Sequence, residues 1–282
     1  MIEELLKLQE KIFAYHSPEE DVTDLPRVHF AKIGDFFEIT FYGEGGDEDP
    51  DIHSSEFVPD DEEYEYDSYY AFYALQDLLI EYPDEILSLS FSGPDIGANG
   101  VKGWDFSRLI QSGVVFRNLK SFRVSRSDVG DHNISIIGSD IDNIDAEMIA
   151  RLVSMMPSLE ELELPSAPGK SFFDLSELKI TFLAVQSIFQ DDFVENLADS
   201  SNLPLLSRLD YTAPISNDND KAEKTYFESY KKLFASKLLA SRFHFKLREN
   251  SLSQTQLKEL KSMQKTVMLL HIKTVQAEYV YS

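Results

Sequence analysis

Residues 156–164 read MPSLEELEL. Leu162 and Leu164 alternate with Glu161 and Glu163, the pattern of a short strand with one buried face. Leu159 stands three residues ahead of the pair, which gives the frame LxxLxL. With other large apolar residues admitted, the frame recurs. FRNLKSFRV carries Leu119, Phe122 and Val124, LPLLSRLDY carries Leu206, Leu209 and Tyr211, and DLSELKI carries Leu175, Leu178 and Ile180. Weaker copies are EILSLSF (Ile86, Leu87, Leu89, Phe91), SRFHFKL (Phe243, Phe245) and MLLHIKT (Leu270, Ile272). The first residue of each apolar pair falls at 89, 122, 162, 178, 209, 243 and 270, so the gaps are 33, 40, 16, 31, 34 and 27.

Helical patterns fill most gaps. Trp104–Phe116 places Phe106, Leu109, Ile110 and Val114 at helical spacing. Asp145–Met156 opens on an N-cap residue, carries Met148, Ile149, Leu152, Val153 and Met156 on one stripe, and stops at Pro157. Asp192–Ala198 is shorter. Asp220–Ala240 opens with Asp220 and Glu223 at capping-box spacing, and Ser253 with Gln256 repeats that signature ahead of Leu257, Leu260 and Met263. The 16-residue gap is too short for a crossover helix, so a loop or a single turn must serve there. Strand, helix and strand at a spacing near 30 predict parallel neighbours joined by crossovers. No unit buries its apolar face alone, so the units stack into one continuous core.

These residues resemble the leucine-rich-repeat family, in particular its irregular bacterial members. FRNLKSFRV, MPSLEELELPSAPG and LPLLSRLDYTAP carry the resemblance, over roughly residues 84–282. It implies an α/β fold: a βα solenoid with a parallel sheet on its concave face and helices on its convex face. The family's Asn or Cys slot holds Ser127, Ala167 and Pro214 here, which predicts irregular turns, and the gaps exceed the usual repeat of about 20–29 residues. Residues 1–83 read as an α+β N-terminal cap, since terminal units of solenoids are atypical. The cap comprises a helix over Ile2–Tyr15, strands at Val28–Phe30 and Phe36–Tyr42, and a helix over Ser68–Tyr82. A doubly wound α/β domain is the alternative, but no Gly-rich phosphate loop follows any strand.

The 282 residues suit one large or two ordinary domains, and 43% hydrophobic content is too high for a disordered chain. With no cysteine, disulfides, thiol nucleophiles and thiolate metal sites are excluded. The opening MIEELLKLQEKIFAY is amphipathic and acidic, unlike a signal peptide, and no apolar run approaches a membrane span. A cytoplasmic protein is the expectation, with neither nucleic acid nor membrane as partner. The net charge is −24, and it is unevenly placed: residues 1–220 hold 14 basic and 45 acidic side chains, residues 221–282 hold 12 and 5. Gly43–Asp67 alone carries 12 acids and no Lys or Arg, among them Asp47, Glu48, Asp49, Asp51, Asp60, Asp61, Glu62 and Glu63. Its start resembles an EF-hand, but Ile52 and Val58 stand where Gly and Glu are required. It therefore reads as a solvated loop first and a binding element for a basic protein second.

No motif nominates a catalytic residue, a cofactor or a metal. GPDIGANGVKG, residues 93–103, fits neither a dinucleotide nor a P-loop spacing and reads as a flexible turn. Asp140, Asp142 and Asp145 are read as turn and cap residues ahead of a cation site. None of the six histidines stands in a zinc motif, and no GxSxG elbow occurs.

The strand faces are more telling. With each apolar pair in the core, the concave face would show Ser88 and Ser90, Arg123 and Ser125, Glu161 and Glu163, Lys179 and Thr181, Arg208, Asp210 and Thr212, His244 and Lys246, and His271 and Lys273. This face is polar, and cationic over the last two strands. The expected function is a non-catalytic protein-interaction scaffold using this face and the charged loops. An inhibitor or immunity-type protein that neutralises a basic partner, and an enzyme of unrecognised class, are the alternatives.

Overall fold

The computed structural model describes residues 1–15, 26–45, 69–95, 100–127, 131–138, 146–187, 192–213, 219–240, 242–249 and 251–273. The lead-in supplies helix α1 (Ile2–Tyr15), strands β1 (Arg27–Ile33) and β2 (Phe36–Tyr42), and helix α2 (Tyr69–Glu81). Then follow β3 (Ile86–Ser92), β4 (Gly100–Trp104), α3 (Ser107–Ser112), β5 (Ser121–Val124), β6 (Asn133–Ile137), α4 (Ala146–Ser154), β7 (Glu161–Leu164), α5 (Lys170–Phe173) and β8 (Phe182–Gln186). The last elements are α6 (Phe193–Asp199), β9 (Arg208–Thr212), α7 (Asn219–Ala235), β10 (Phe243–Glu249), α8 (Gln254–Met263) and β11 (Val267–Lys273).

Nine strands form one sheet in the order β1-β2-β3-β5-β7-β8-β9-β10-β11. β1 and β2 are an antiparallel hairpin turning at Gly34, whose φ of 64° suits a residue without a side chain. From β2 onward every neighbouring pair is parallel. The sheet thus grows in chain order, each new strand joining the same edge. The helices are neighbours in chain order as well, from α1 beside α2 through α7 beside α8.

The repeated frame acts through register. Ile39, Leu89, Phe122, Leu162, Leu183, Leu209, Phe245 and Leu269 pair in sequence across eight strands. All but Leu269 are buried, and the row packs into a single core with residues of the helices, including Phe72, Leu109, Leu152, Phe172, Leu197, Leu233 and Leu260. A second buried row two residues on runs Phe41, Phe91, Val124, Leu164, Val185, Tyr211 and Leu247. Burying a side chain of this size contributes about 1.5–3 kcal/mol before entropy is charged against it. Six aromatic rings knit the lead-in to the first of the later strands: Phe72 lies 5.5 Å from both Trp104 and Phe106, Phe91 5.2 Å from Phe106, and Phe106 5.3 Å from Phe122, with Phe41 6.3 Å from Trp104.

Three elements differ from the sequence reading. The strand expected at DLSELKI is β8, further along; Leu175 and Leu178 pack part-buried on the core, and Ile180 is buried just before the strand. The register step after Leu162 becomes 21 residues, to Leu183, and the single turn α5 fills it. The end of the glycine-rich stretch, from Gly100 on, lies in β4, paired parallel with β6 in a small second sheet. Glycine serves close packing here. A side chain on Gly93 would meet the Gly43 carbonyl oxygen at 1.9 Å and Lys102 Nζ at 2.5 Å. The helix expected over Trp104–Phe116 is confined to α3, because Asp105 accepts from Ser107 N (2.8 Å) at one end and left-handed Gly113 (φ 68°) closes the other. Conversely, the capping box at Ser253 and Gln256 forms as expected: Gln256 N donates to Ser253 Oγ (3.3 Å) and Ser253 N to Gln256 Oε1 (2.7 Å). No helix among the described residues is long and apolar enough to cross a membrane.

Candidate functional site: the open face of the sheet

Because side chains alternate along a strand, the residues between the core rows form two rows on the opposite, open face. One runs Glu38, Ser88, Ser121, Glu161, Phe182, Arg208, His244, Met268; the other runs Thr40, Ser90, Arg123, Glu163, Ala184, Asp210, Lys246, Leu270. The face changes character along its length. It is small and hydroxylic at β3, charged at β5, β7, β9 and β10 with uncharged Phe182 and Ala184 between them on β8, and apolar at β11.

The charged stretch is a cross-strand network. Glu161 pairs with Arg123 and, at 3.4 Å, with Arg208. Arg126 reaches Glu163 (3.1 Å) and Asp210 (3.2 Å), bridging β7 and β9 from just beyond β5. Asp210 also binds Lys246 (3.2 Å) and Arg248. Burial raises the affinity of Asp210 for a proton, but the hydrogen bonds and charges of Arg126 and Arg248 outweigh it and hold its carboxyl below the usual aspartate range. Ala184, the neighbour of Asp210 on β8, is fully buried beneath this network. The Arg208 guanidinium stacks over the Phe182 ring at 4.8 Å. Next to this pair a groove of about 590 Å³ runs to the last strand, between Phe182, Arg208, His244, Lys246, Met268 and Leu270.

A smaller polar pocket of about 210 Å³ lies past the ends of β3 and β5, between Ser92, Asp95, Lys102, Trp104, Ser125, Arg126 and Asn133. Lys102 Nζ donates to the Pro94 carbonyl (2.6 Å). Burial pushes the Lys102 ammonium down to about 8, against the opposing pull of Glu44, Asp131 and Asp95. Trp104 Nε1 donates to Ser135 Oγ (2.9 Å), and His132 Nδ1 faces Asp95 at 2.8 Å. Arg126 lines both this pocket and the charged network.

Of the residues expected on this face, Arg123, Glu161, Glu163, Arg208, Asp210, Thr212, His244 and Lys246 share it. Ser125 follows β5 and lines the polar pocket. Lys179 and Thr181 do not belong: both precede β8, Thr181 N donates to the Glu160 carbonyl (2.8 Å), and Phe182 and Ala184 take their places. His271 and Lys273 are also misassigned. They register with Leu247 and Glu249 on the helix side, where His271 Nε2 meets the buried Glu249 carboxylate at 2.7 Å, and Met268, Leu270 and Ile272 face outward instead. Arg126 and Arg248 were not foreseen. The alternation of His244 and Lys246 continues to Arg248 and could have revealed it; Arg126 lies past the end of its strand and left no periodic signal. Asp47, Glu48, Asp49, Asp51, Asp60, Asp61, Glu62 and Glu63, and the turn with Asp140, Asp142 and Asp145, lie outside the described residues.

No family model and no curated protein matches the sequence. Among solved structures, a crystal structure of a Bacteroides fragilis protein is similar at 13% identity and a TM-score of 0.37, covering 70% of this chain and 69% of that one.

Proposed function

We propose that the chain is a leucine-rich-repeat-like α/β solenoid that binds another protein on its open sheet face and performs no chemistry on it. The sheet order supports the solenoid, because strands that add in chain order with parallel register are what stacked βα units produce. One observation carries the binding function. The described helices pack on the other face, so no described helix covers the network from Arg123 to Arg248 or the exposed side chains of β11. A face serving only as solvated backing has no need of a carboxylate gripped by three cations, nor of Met268 and Leu270 more than half exposed beside it.

The test places a photo-crosslinking amino acid at His244 or Arg123 on the open face, and at Lys258 or Glu195 on exposed helical positions, in the full chain within the cells that make it. Adducts to one partner from the open-face positions alone are expected. Adducts from the helical positions alone would move the binding surface to the other side of the molecule.

A further inference from the structure

The charge balance of the open face differs from that of the chain. Among the described residues around β5–β10 the face carries five basic side chains, Arg123, Arg126, Arg208, Lys246 and Arg248, against three carboxylates, Glu161, Glu163 and Asp210. Each of these carboxylates is already engaged by at least one cation. A basic partner would have to displace an arginine or lysine to gain a salt link. An acidic partner meets cations that share too few acceptors, since a guanidinium alone has five donor hydrogens. The overall charge of −24 opposes this only at long range; at physiological salt the Debye length is about 8 Å, so contact electrostatics decide.

The second component is apolar. Met268 and Leu270 are 56% and 57% exposed, and they flank His244 and Lys246 in register. The groove of about 590 Å³ joins them to Phe182, whose ring is already covered on one side by Arg208. An occupant matched to both components carries carboxylates with a bulky apolar side chain beside them.

Resting on the open-face docking reading, we propose that the partner presents an acidic segment: its carboxylates engage Arg208, His244 and Lys246, and an adjacent apolar side chain fills the groove between Phe182 and Leu270. This reverses the expectation of a basic partner drawn from net charge. Specificity comes from the pairing, because carboxylates alone would bind weakly at an exposed surface and an apolar side chain alone would meet a charged rim.

The experiment titrates the full chain, in 0.15 M salt, against two fluorescein-labelled peptides of equal length. One interleaves Glu with Leu and Phe, and the other has Lys in place of every Glu. The acidic peptide binds and the basic one does not. Arg208→Glu, on a residue half exposed to solvent, weakens binding by about tenfold or more, as loss and reversal of one charge contact would. Leu270→Ser weakens it about threefold to tenfold, and His244→Glu gives a second charge test at a position whose exposure leaves the fold undisturbed. Lys258→Glu on α8 changes nothing.

No binding of the acidic peptide at about 100 μM protein, far above the range of a specific complex, overturns the proposal. So does binding that ignores both Arg208→Glu and Leu270→Ser. If the basic peptide binds instead and the open-face variants abolish it, the docking face stands and the acidic assignment falls. Concentration-dependent self-association lost in Leu270→Ser reassigns the face to a second copy of this chain. If neither peptide nor any photo-crosslinked protein engages the face, the docking reading falls too.

Discussion

Asp210 and Lys102 show two ways a charge can be held at the edge of the core. Asp210 is surrounded by Arg126, Lys246 and Arg248, and its carboxyl stays ionised below the ordinary aspartate value. Asp210→Asn would leave three cations crowded around a neutral amide. The expected cost is about 2 kcal/mol at pH 7, under the 3–5 kcal/mol of a fully buried pair because these side chains keep some solvent. As the folded-state pKa lies below the unfolded one, the unfolded chain binds more protons in between, and the stability from Asp210 is lost as pH falls below about 4. Urea denaturation of both proteins should show a gap that is full at pH 7 and shrinks below pH 4. Lys102 is the opposite case. Its ammonium is disfavoured by burial and titrates near 8, below the unfolded value, so stability gained from its deprotonation rises with pH from about 8 to 10.4. Lys102→Met is expected to be more stable at pH 7 by about 1–2 kcal/mol, allowing for residual solvent and the lost bond to Pro94, with the gain gone above about pH 10. A gain that persists at pH 10.5 would show packing, not charge, to be the cause. Arg208, Asp210 and Lys246 were legible in the sequence because strict alternation fixes a face. His271 was not: Leu269 and Leu270 put apolar residues on both phases of β11, so alternation leaves its phase undetermined.

At the scale of elements, local chemistry decided what could be read. The capping box before α8 is a two-residue code with a fixed spacing, and it formed. DLSELKI satisfied the repeat frame yet lies before the strand, because FLAVQ supplies aromatic Phe182 and β-branched Val185, which suit a central strand. The β4–β6 sheet was hidden by its glycines, which suggest a loop when no partner is known. Glycines after β2 serve contact beside it: Gly43 N donates to the Ser92 carbonyl (2.9 Å), and Gly45 is bridged to Trp104. Gly93→Ala forces a methyl group against the Gly43 carbonyl and Lys102. The expected loss is about 3 kcal/mol, at the upper end of overpacking costs, since backbone must move. Thermal unfolding measures it, and Gly93→Ala melting with the wild type would show that β2 and β3 do not approach this closely.

For the whole molecule, parallel pairing of neighbouring strands was legible because one apolar frame recurs at a spacing that leaves room for crossovers. The charge of the open face was not, since a sum over the chain hides where the pairs fall. The proposed solenoid also implies how the protein comes apart. Each strand bonds only its neighbours in the chain-ordered sheet, so stability is set locally and the ends can open without the centre. The two ends are unequal to the middle. No residue of β11 is buried and, among the described residues, its outer edge meets no other strand, whereas β3 and β5 contribute Phe91 and Phe122 to the aromatic cluster and β3, β5 and β7 hold the fully buried Leu89, Phe122 and Leu162. Amide exchange followed by mass spectrometry should find β11 exchanging at least about 100-fold faster than β5 and β7, a difference of about 2.7 kcal/mol in opening free energy. An occupant seated on Met268 and Leu270 would slow β11 and leave β5 and β7 unchanged, which gives the acidic peptide a readout independent of its fluorescence. Uniform protection from β2 to β11 in the free chain would mean that the sheet opens as one cooperative unit, and the strand-by-strand picture of its stability would fail.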